Sequence, residues 1–160
     1  MDTLLLPKLS VYLADDDADD RMLFEEALSE VSADVILITA KNGEQLMHVL
    51  ANETPPVPHL IFLDLNMPIK NGFQCLEQIK NDDKYTGIPV VIFSTSCQKE
   101  AIDEVYSKGA DFYICKPDSF QKLKGLLNTV FTINKEPLLA RPSREDFLLK
   151  AWHNAYPILS

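Results

Sequence analysis

The sequence Leu-Ile-Phe-Leu-Asp-Leu-Asn-Met-Pro at residues 60–68 decides the fold, because a short apolar run ends directly in an acidic turn. A continuous apolar run of this length is typical of a strand that is covered on both faces. Working outward from it, four more such runs occur, at residues 9–14, 35–39, 89–93 and 112–114. The sequence therefore predicts five buried strands.

Segments with the apolar spacing of helices separate these strands and follow the last one. The first has an apolar stripe of Met22, Leu23, Ala27, Leu28 and Val31; the others span 43–51, 72–81, 98–108 and 119–131. Strand and helix thus alternate five times, which predicts an α/β fold: a doubly wound parallel sheet with helices on both faces. In such sheets ligands bind at the carboxyl ends of the strands, so the residues that follow each strand are the candidate site.

Length, charge and cysteine content limit the classes of function. A chain of 160 residues accommodates one domain and a short appendage. The net charge of −9 argues against direct binding of nucleic acid or of an anionic membrane. The sequence shows neither a signal peptide nor a membrane-spanning run, and its three cysteines are expected to be reduced thiols, so we expect a cytoplasmic protein.

Polar residues follow four of the predicted strands. They are Asp15-Asp16 after the first, Asp64 and Asn66 after the third, Ser94-Thr95 after the fourth and Lys116 after the fifth. Clustered carboxylates repel one another unless a cation joins them, and oxygen-only ligands suit Mg²⁺, with Mn²⁺ as a substitute. A lysine and a hydroxyl beside a metal favour phosphate, and a carboxylate can accept a phosphoryl group as an acyl phosphate.

These motifs together resemble a response-regulator receiver domain of two-component signalling. The similarity covers residues 8–133 and includes the acidic pair Asp15-Asp16, the turn at 64–68, and Lys116-Pro117. The resemblance implies a flavodoxin-like (βα)5 sheet with strand order 2-1-3-4-5. It places the receiver domain at residues 1–133 and a C-terminal extension with a connector and a short helix at 134–160.

The resemblance also implies which residues hold the metal and the phosphoryl group. Asp64 is the expected phosphoacceptor. Asp16 and Asp64 are expected to bind Mg²⁺ together with the main-chain carbonyl of Asn66, and Asp15 through a water molecule.

Further residues are expected to complete the site and to report its state. By the resemblance, Lys116 pairs with the phosphoryl group or with Asp64, and Ser94 binds a phosphoryl oxygen. Thr95 stands beside it among the catalytic residues, where many family members have Ala. Tyr113 is the expected switch residue, with inward and outward rotamers, and the Lys116–Pro117 bond is expected to be cis.

The function implied is that of a single-domain response regulator. It would receive a phosphoryl group from a histidine kinase or a histidine phosphotransfer protein and signal by contact with an unknown downstream protein. Its own catalysis would be limited to weak self-phosphorylation and self-dephosphorylation.

Three alternatives stay open at this point. A haloacid-dehalogenase-like phosphatase also uses an aspartyl phosphate and Mg²⁺, but the run at 15–19 lacks its threonine. A non-phosphorylated binding module would keep the fold without the chemistry. A calcium loop would use Asp15, Asp17 and Asp19, although a predicted strand precedes them where that motif needs a helix.

The last 27 residues, 134–160, are too few for an output domain. Two prolines make 136–142 a connector, and Ser143 then has the pattern of a helix cap. The helix expected after it carries an apolar stripe of Phe147, Leu148, Ala151, Trp152 and Tyr156. This helix either packs on its own domain or docks a partner, with a homodimer as one form of docking.

Overall fold

A computed structural model of the chain describes residues 9–52, 56–134 and 141–150. Strands and helices alternate as the apolar runs predict, with small shifts at the ends. The elements are β1 (Leu9–Ala14), α1 (Ala18–Val31), β2 (Val35–Ala40), α2 (Gly43–Ala51), β3 (Leu60–Leu63), α3 (Gly72–Lys80), β4 (Val90–Ser94), α4 (Lys99–Ser107), β5 (Phe112–Cys115), α5 (Phe120–Asn134), α6 (Arg144–Phe147) and β6 (Leu148–Leu149).

The strands form one parallel sheet in the order β2-β1-β3-β4-β5-β6. The order of the first five strands confirms the predicted doubly wound topology. The reversal of strand order lies at β1, which pairs with β2 on one side and β3 on the other. Because β1, β3 and β4 have neighbouring strands on both sides, nearly all of their side chains are buried, on both faces of the sheet.

Apolar side chains cover the two faces of the sheet in two clusters. One cluster packs α1 and α5 against one face and includes Phe24, Phe62 and Phe93, whose rings meet edge to face. The other packs α2, α3 and α4 against the opposite face. Helices thus cover both faces of the sheet. The carboxyl ends of the strands are where proteins of this architecture bind ligands.

The apolar stripe predicted for α1 is partly wrong. Met22 and Leu23 are 60% and 47% exposed, whereas Phe24, which the prediction left out, is fully buried together with Ala27 and Leu28. At 100° per residue, Phe24 and Leu28 share a face with Val31, while Met22 lies on the opposite side. Two apolar side chains therefore remain on the surface near the start of α1.

The C-terminal segment departs from the expected helix. Ser143 caps a helix as predicted, and its Oγ accepts a hydrogen bond from the amide of Asp146 at 3.3 Å. The helix α6 ends at Phe147, and Leu148, expected to be helical, begins β6, which pairs with β5. The free edge of β5 offers unpaired backbone groups, and pairing with them outweighs continuing the helix. Residues 136–140 of the expected connector, and Ala151, Trp152 and Tyr156, lie outside the described residues.

No helix in the described part of the chain is long and apolar enough to span a bilayer.

Candidate functional site

The predicted polar residues meet at one edge of the sheet. Asp15 directly follows β1, Asp64 follows β3, Ser94 ends β4 and Lys116 follows β5. The backbone fixes their relative positions, because the amide of Asp64 donates to the carbonyl of Ala14 at 3.0 Å and that of Lys116 donates to Ser94 at 2.8 Å. Side chains from four strands are thus held at one place by the hydrogen bonds of the sheet.

A tight turn after β3 positions Asp64. The amide of Gly72 donates to the carbonyl of Leu65 at 2.9 Å, which brings the start of α3 back onto the strand end. A Cβ at Gly72 would collide with the carbonyl oxygen of Asp64 and lie 2.7 Å from Cα of Leu65. Only glycine allows this close approach, so Gly72 is a structural requirement of the site.

Three carboxylates converge at this edge. One oxygen from each of Asp15, Asp16 and Asp64 lies within 4.8 Å of the others. Asp15 and Asp64 are buried and Asp16 is exposed, so the group is open to solvent on one side. Main-chain carbonyls and carboxylates suit a hard divalent cation, and these three acids could hold one.

Burial of Asp15 supports a cation at this place. Desolvation by burial, helped by the nearby charge of Asp64, raises the pKa of Asp15 to about 6, although Lys116 and the amide of Asp17 act in the opposite direction. Its Oδ2 lies 2.8 Å from Lys116 Nζ as an ion pair, and it has no partner in strict hydrogen-bond geometry within the described ranges. A buried carboxylate oxygen in this position is suited to bind a metal ion directly or to accept a hydrogen bond from a water molecule bound to the ion.

Lys116 lies at the centre of the acids. Its Nζ is 2.8 Å from Asp15, 2.8 Å from Asp20 and 3.2 Å from Asp64. Burial alone would lower the pKa of Lys116, but its close contacts with Asp15 and Asp20 and the negative charges of Asp15 and Asp64 raise it above its usual value. The lysine is therefore a permanent cation that offsets part of the negative charge.

Asp20 is a member of the site that the sequence analysis did not include among the candidate residues. It lies in the first turn of α1, where Asp17 is the N-cap and accepts from the amides of Asp19 and Asp20. The three acids that converge do not include Asp17 or Asp19, so nothing favours the calcium loop. The start of α1 after Asp17 places Asp20 in the first turn of the helix, but its contact with Lys116 depends on how α1 packs beside the strand ends, so no local pattern specified it.

The remaining predicted residues divide into buried and exposed groups. Ser94 is fully buried, and its Oγ accepts from the amide of Ser96 at 3.1 Å. Tyr113 is also fully buried, in the inward arrangement, and its hydroxyl donates to the carbonyl of Ser96 at 2.5 Å. Thr95, which follows Ser94 in the sequence, is exposed. Asn66 is also exposed, with its amide 3.4 Å from Oδ1 of Asp64.

Two expectations about this region are wrong. No peptide bond is cis in the ranges that the structure describes, so Lys116–Pro117 is trans, the lower-energy form of such a bond; Lys116 reaches its three carboxylates in this form. Cys97 and Cys115 are joined as a disulfide with Cα atoms 5.7 Å apart, where reduced thiols were expected. They are 18 residues apart in sequence, but the register of β4 and β5 places Ser94 opposite Cys115.

The fold and the residues at the carboxyl ends of its strands together define the class of protein: a parallel α/β protein with an acidic site suited to a divalent cation. The model of the response regulator receiver domain matches residues 11–128. The response regulator Rcp1 of Synechocystis sp. is 32% identical over 128 residues, which is 75% of this chain and 86% of that protein.

Solved structures give the same result. The phosphorylated cyanobacterial phytochrome response regulator RcpA superposes with a TM-score of 0.74 at 28% identity, over 85% of this chain and 99% of the other. The Mn²⁺-bound form of Rcp1 gives 0.72 at 28% identity, over 84% and 99%. The chain therefore belongs to the response regulator receiver family of two-component systems. Members of this family are signalling phosphoacceptors rather than dedicated enzymes.

Proposed function

We propose that Asp64 is the residue that accepts the phosphoryl group. The observation that carries this proposal is the position of its carboxylate: it is 4% exposed, 3.2 Å from the ammonium of Lys116 and part of the three-acid group. Asp15 is more deeply buried and its main-chain carbonyl accepts from Arg21, while Asp16 is exposed. Asp15 also lies close to the ammonium of Lys116, at 2.8 Å, but it is fully buried, whereas the Asp64 carboxylate keeps both the ammonium partner and some exposure.

The residues fit Mg²⁺ as the metal of this site. Asp15, Asp16 and Asp64 would hold it, with the main-chain carbonyl of Asn66 as a further oxygen ligand. The buried, hydrogen-bond-free Oδ2 of Asp15 supports this assignment, and the Mn²⁺-bound form of Rcp1 is a relative with a chemically similar ion. When bound, the ion offsets the carboxylate charges and that of the incoming phosphoryl group.

The transfer itself needs little more than positioning. An oxygen of the Asp64 carboxylate forms a bond to phosphorus as the bond from phosphorus to the donor's histidine nitrogen breaks, and the leaving nitrogen takes up a proton. Lys116 pairs with the phosphoryl oxygens, and Ser94, at the end of β4, donates its hydroxyl to one of them. Thr95 lies beside this path and limits the room around it.

The donor proposed is a sensor histidine kinase or a histidine phosphotransfer protein. Exposed Met22 and Leu23 lie at the start of α1, and Leu23 lines a hollow of about 130 Å³ next to Lys116. An apolar surface beside a reactive group is suited to docking a protein donor. Output through an unknown downstream protein, a homodimer and a cytoplasmic location stay predictions.

The experiment that tests the proposal is intact-mass measurement after incubation with acetyl phosphate and Mg²⁺, a reaction that draws on the weak self-phosphorylation expected of the protein. A gain of about 80 Da, one phosphoryl group, is expected in the wild type and not in Asp64→Asn. Asp19→Asn is the matched control, since Asp19 is an exposed acid outside the three-acid group. A gain that persists in Asp64→Asn, or none in the wild type, contradicts the proposal.

A further inference from the structure

Residues 141–150, here called the tail segment, cover the face formed by α4 and β5. Two arginines attach it to α4. Arg141 donates through Nε to the carbonyl of Ala110 at 3.0 Å, and its guanidinium lies 3.9 Å from the ring centre of Tyr106. Arg144 donates through Nε to Asp103 at 2.6 Å. The hydroxyl of Tyr106 in turn donates to the carbonyl of Pro142 at 3.0 Å.

Apolar contacts and a strand complete the attachment. Phe147 is fully buried, with its ring centre 5.0 Å from that of Tyr106 and 6.1 Å from that of Tyr113. Both pairs meet edge to face, the arrangement that aromatic rings prefer. Immediately afterwards β6 pairs with β5, with Leu148 opposite Tyr113. The segment therefore binds this face as an added strand with one aromatic anchor.

Tyr113 connects the tail segment to the proposed phosphorylation site. Its ring contacts Phe147 on one side, while its hydroxyl donates to the carbonyl of Ser96. The amide of Ser96 donates to Oγ of Ser94, at the strand end next to Lys116. One aromatic ring and one short loop thus separate the tail segment from the edge that carries Asp64.

We propose that the tail segment is an intramolecular clamp on the α4–β5 face, and that its docking and phosphorylation of Asp64 stabilise each other. The inference rests on the proposed function of Asp64. With Phe147 and β6 in place, Tyr113 stays inward and the loop at 94–96 stays at the site, where its hydroxyl and amide groups meet the phosphoryl oxygens. Coupling between two sites is reciprocal, so a phosphoryl group at Asp64 strengthens docking of the tail by the same factor.

A consequence concerns the output partner. The face of α4 and β5 takes a strand-forming segment with two arginines and a phenylalanine, and this chain supplies that segment itself. A downstream protein that contacts the phosphorylated form meets the tail segment and α5 as one composite surface, because the α4–β5 face beneath is covered.

Hydrogen exchange of the full chain tests the clamp, with beryllofluoride and Mg²⁺ as the phosphoryl stand-in. We expect the amides of β6 to exchange at least threefold more slowly when beryllofluoride is added. In the double variant Arg141→Ala, Arg144→Ala, half-saturation should require at least threefold more beryllofluoride. Arg141 and Arg144 lie outside the buried core, so this variant is expected to fold and is preferred to a Phe147→Ala variant, which would remove a fully buried side chain.

Two control variants separate the clamp from general effects. Lys41→Ala with Lys84→Ala removes the same charge from exposed positions away from the tail, and should leave half-saturation unchanged. Leu50 lies in α2 and belongs to the same apolar cluster as Phe147. Leu50→Ala should therefore lower the stability of the protein without changing the coupling between the tail segment and beryllofluoride binding. An equal shift in either control overturns the clamp.

The outcomes also distinguish this inference from the proposed function. A normal mass gain on Asp64 with unchanged or faster exchange in β6 overturns the clamp and leaves the phosphoacceptor in place. Absence of the mass gain overturns both. A dimer whose β6 protection is lost on dilution shows that a second copy supplies the tail, which overturns the intramolecular assignment.

Discussion

The ammonium nitrogen of Lys116 lies 2.8 Å from Oδ2 of Asp20 and 3.2 Å from Oδ2 of Asp64, so the lysine is held more closely by an acid of α1 than by the proposed phosphoacceptor. The Asp20 side chain is 32% exposed, and the pair is therefore partly screened by solvent. A pair of this kind contributes on the order of 1 kcal/mol. Under the proposed function, Asp20 would therefore compete with the phosphoryl group for the same ammonium.

Asp20→Asn should accelerate phosphorylation of Asp64. Removing the competitor frees Lys116 for the phosphoryl oxygens, and it also removes a negative charge that repels an anionic donor. A change of about 1 kcal/mol corresponds to roughly a fivefold higher initial rate with acetyl phosphate. The measurement is the time course of the intact-mass change at fixed Mg²⁺.

Asp19→Asn gives the matched comparison, because it removes the same charge one residue away from an exposed position. If both variants accelerate the reaction equally, the effect is one of net charge and the specific role of Asp20 is excluded. A slower reaction in Asp20→Asn alone would show that Asp20 orients Lys116 instead of competing for it.

The raised pKa of Asp15 predicts a pH-dependent stability of the metal-free protein. Its pKa is raised from 3.8 to about 6, so the folded state holds the proton more tightly than the unfolded state does. This contribution to stability is present below about pH 4 and is lost as the pH rises through about 6. Since one pKa unit is about 1.4 kcal/mol, the loss is at most about 3 kcal/mol.

Urea unfolding in EDTA, with the wild type and Asp15→Asn compared at each pH, measures this loss. The variant should become the more stable protein as the pH rises from 4 to 7, because it has no buried charge to form. Added Mg²⁺ should stabilise the wild type at pH 7 and the variant much less. A stability difference that does not change with pH would contradict the assignment.

The sequence predicted the sheet and most of the site because both depend on local patterns. Continuous apolar runs specify strands that are buried on both faces, and the residues just after them must meet at one edge. Asp15, Asp64, Ser94 and Lys116 were found in this way and are brought together in the structure. Which of them performs which step stays a prediction.

The errors concern contacts that no local pattern specifies. Leu148 fits a helical stripe, but its conformation is decided by the free edge of β5. Cys97 and Cys115 are far apart along the chain, and only the register of β4 and β5 brings them together. Asp20 likewise depends on the angle at which α1 leaves β1. Each outcome required the tertiary arrangement.

Gly72→Ala should destabilise the protein strongly. The added methyl group would collide with the backbone of Asp64 and Leu65, which cannot move without displacing β3. Forced overpacking of this kind costs roughly 1–3 kcal/mol, and urea unfolding measures it. Gly87→Ala is the control, since a Cβ there meets no atom within 4 Å, and its stability should stay within about 0.5 kcal/mol of the wild type. Equal stability of the two variants would contradict the proposed role of the turn.

The pairing of Cys97 with Cys115 predicts a protein whose stability depends on reductant. Mild oxidation with oxidised glutathione should leave one thiol for alkylation after denaturation, that of Cys75, whose pKa burial raises to about 11. Closing a loop of this length lowers the conformational entropy of the unfolded chain and so stabilises the folded protein by about 3 kcal/mol. Dithiothreitol should therefore add two reactive thiols and lower the melting temperature by roughly 5–10 °C. Cys97→Ser should melt at one temperature with or without dithiothreitol. Three reactive thiols after oxidation of the wild type would show that the two cysteines do not pair in solution.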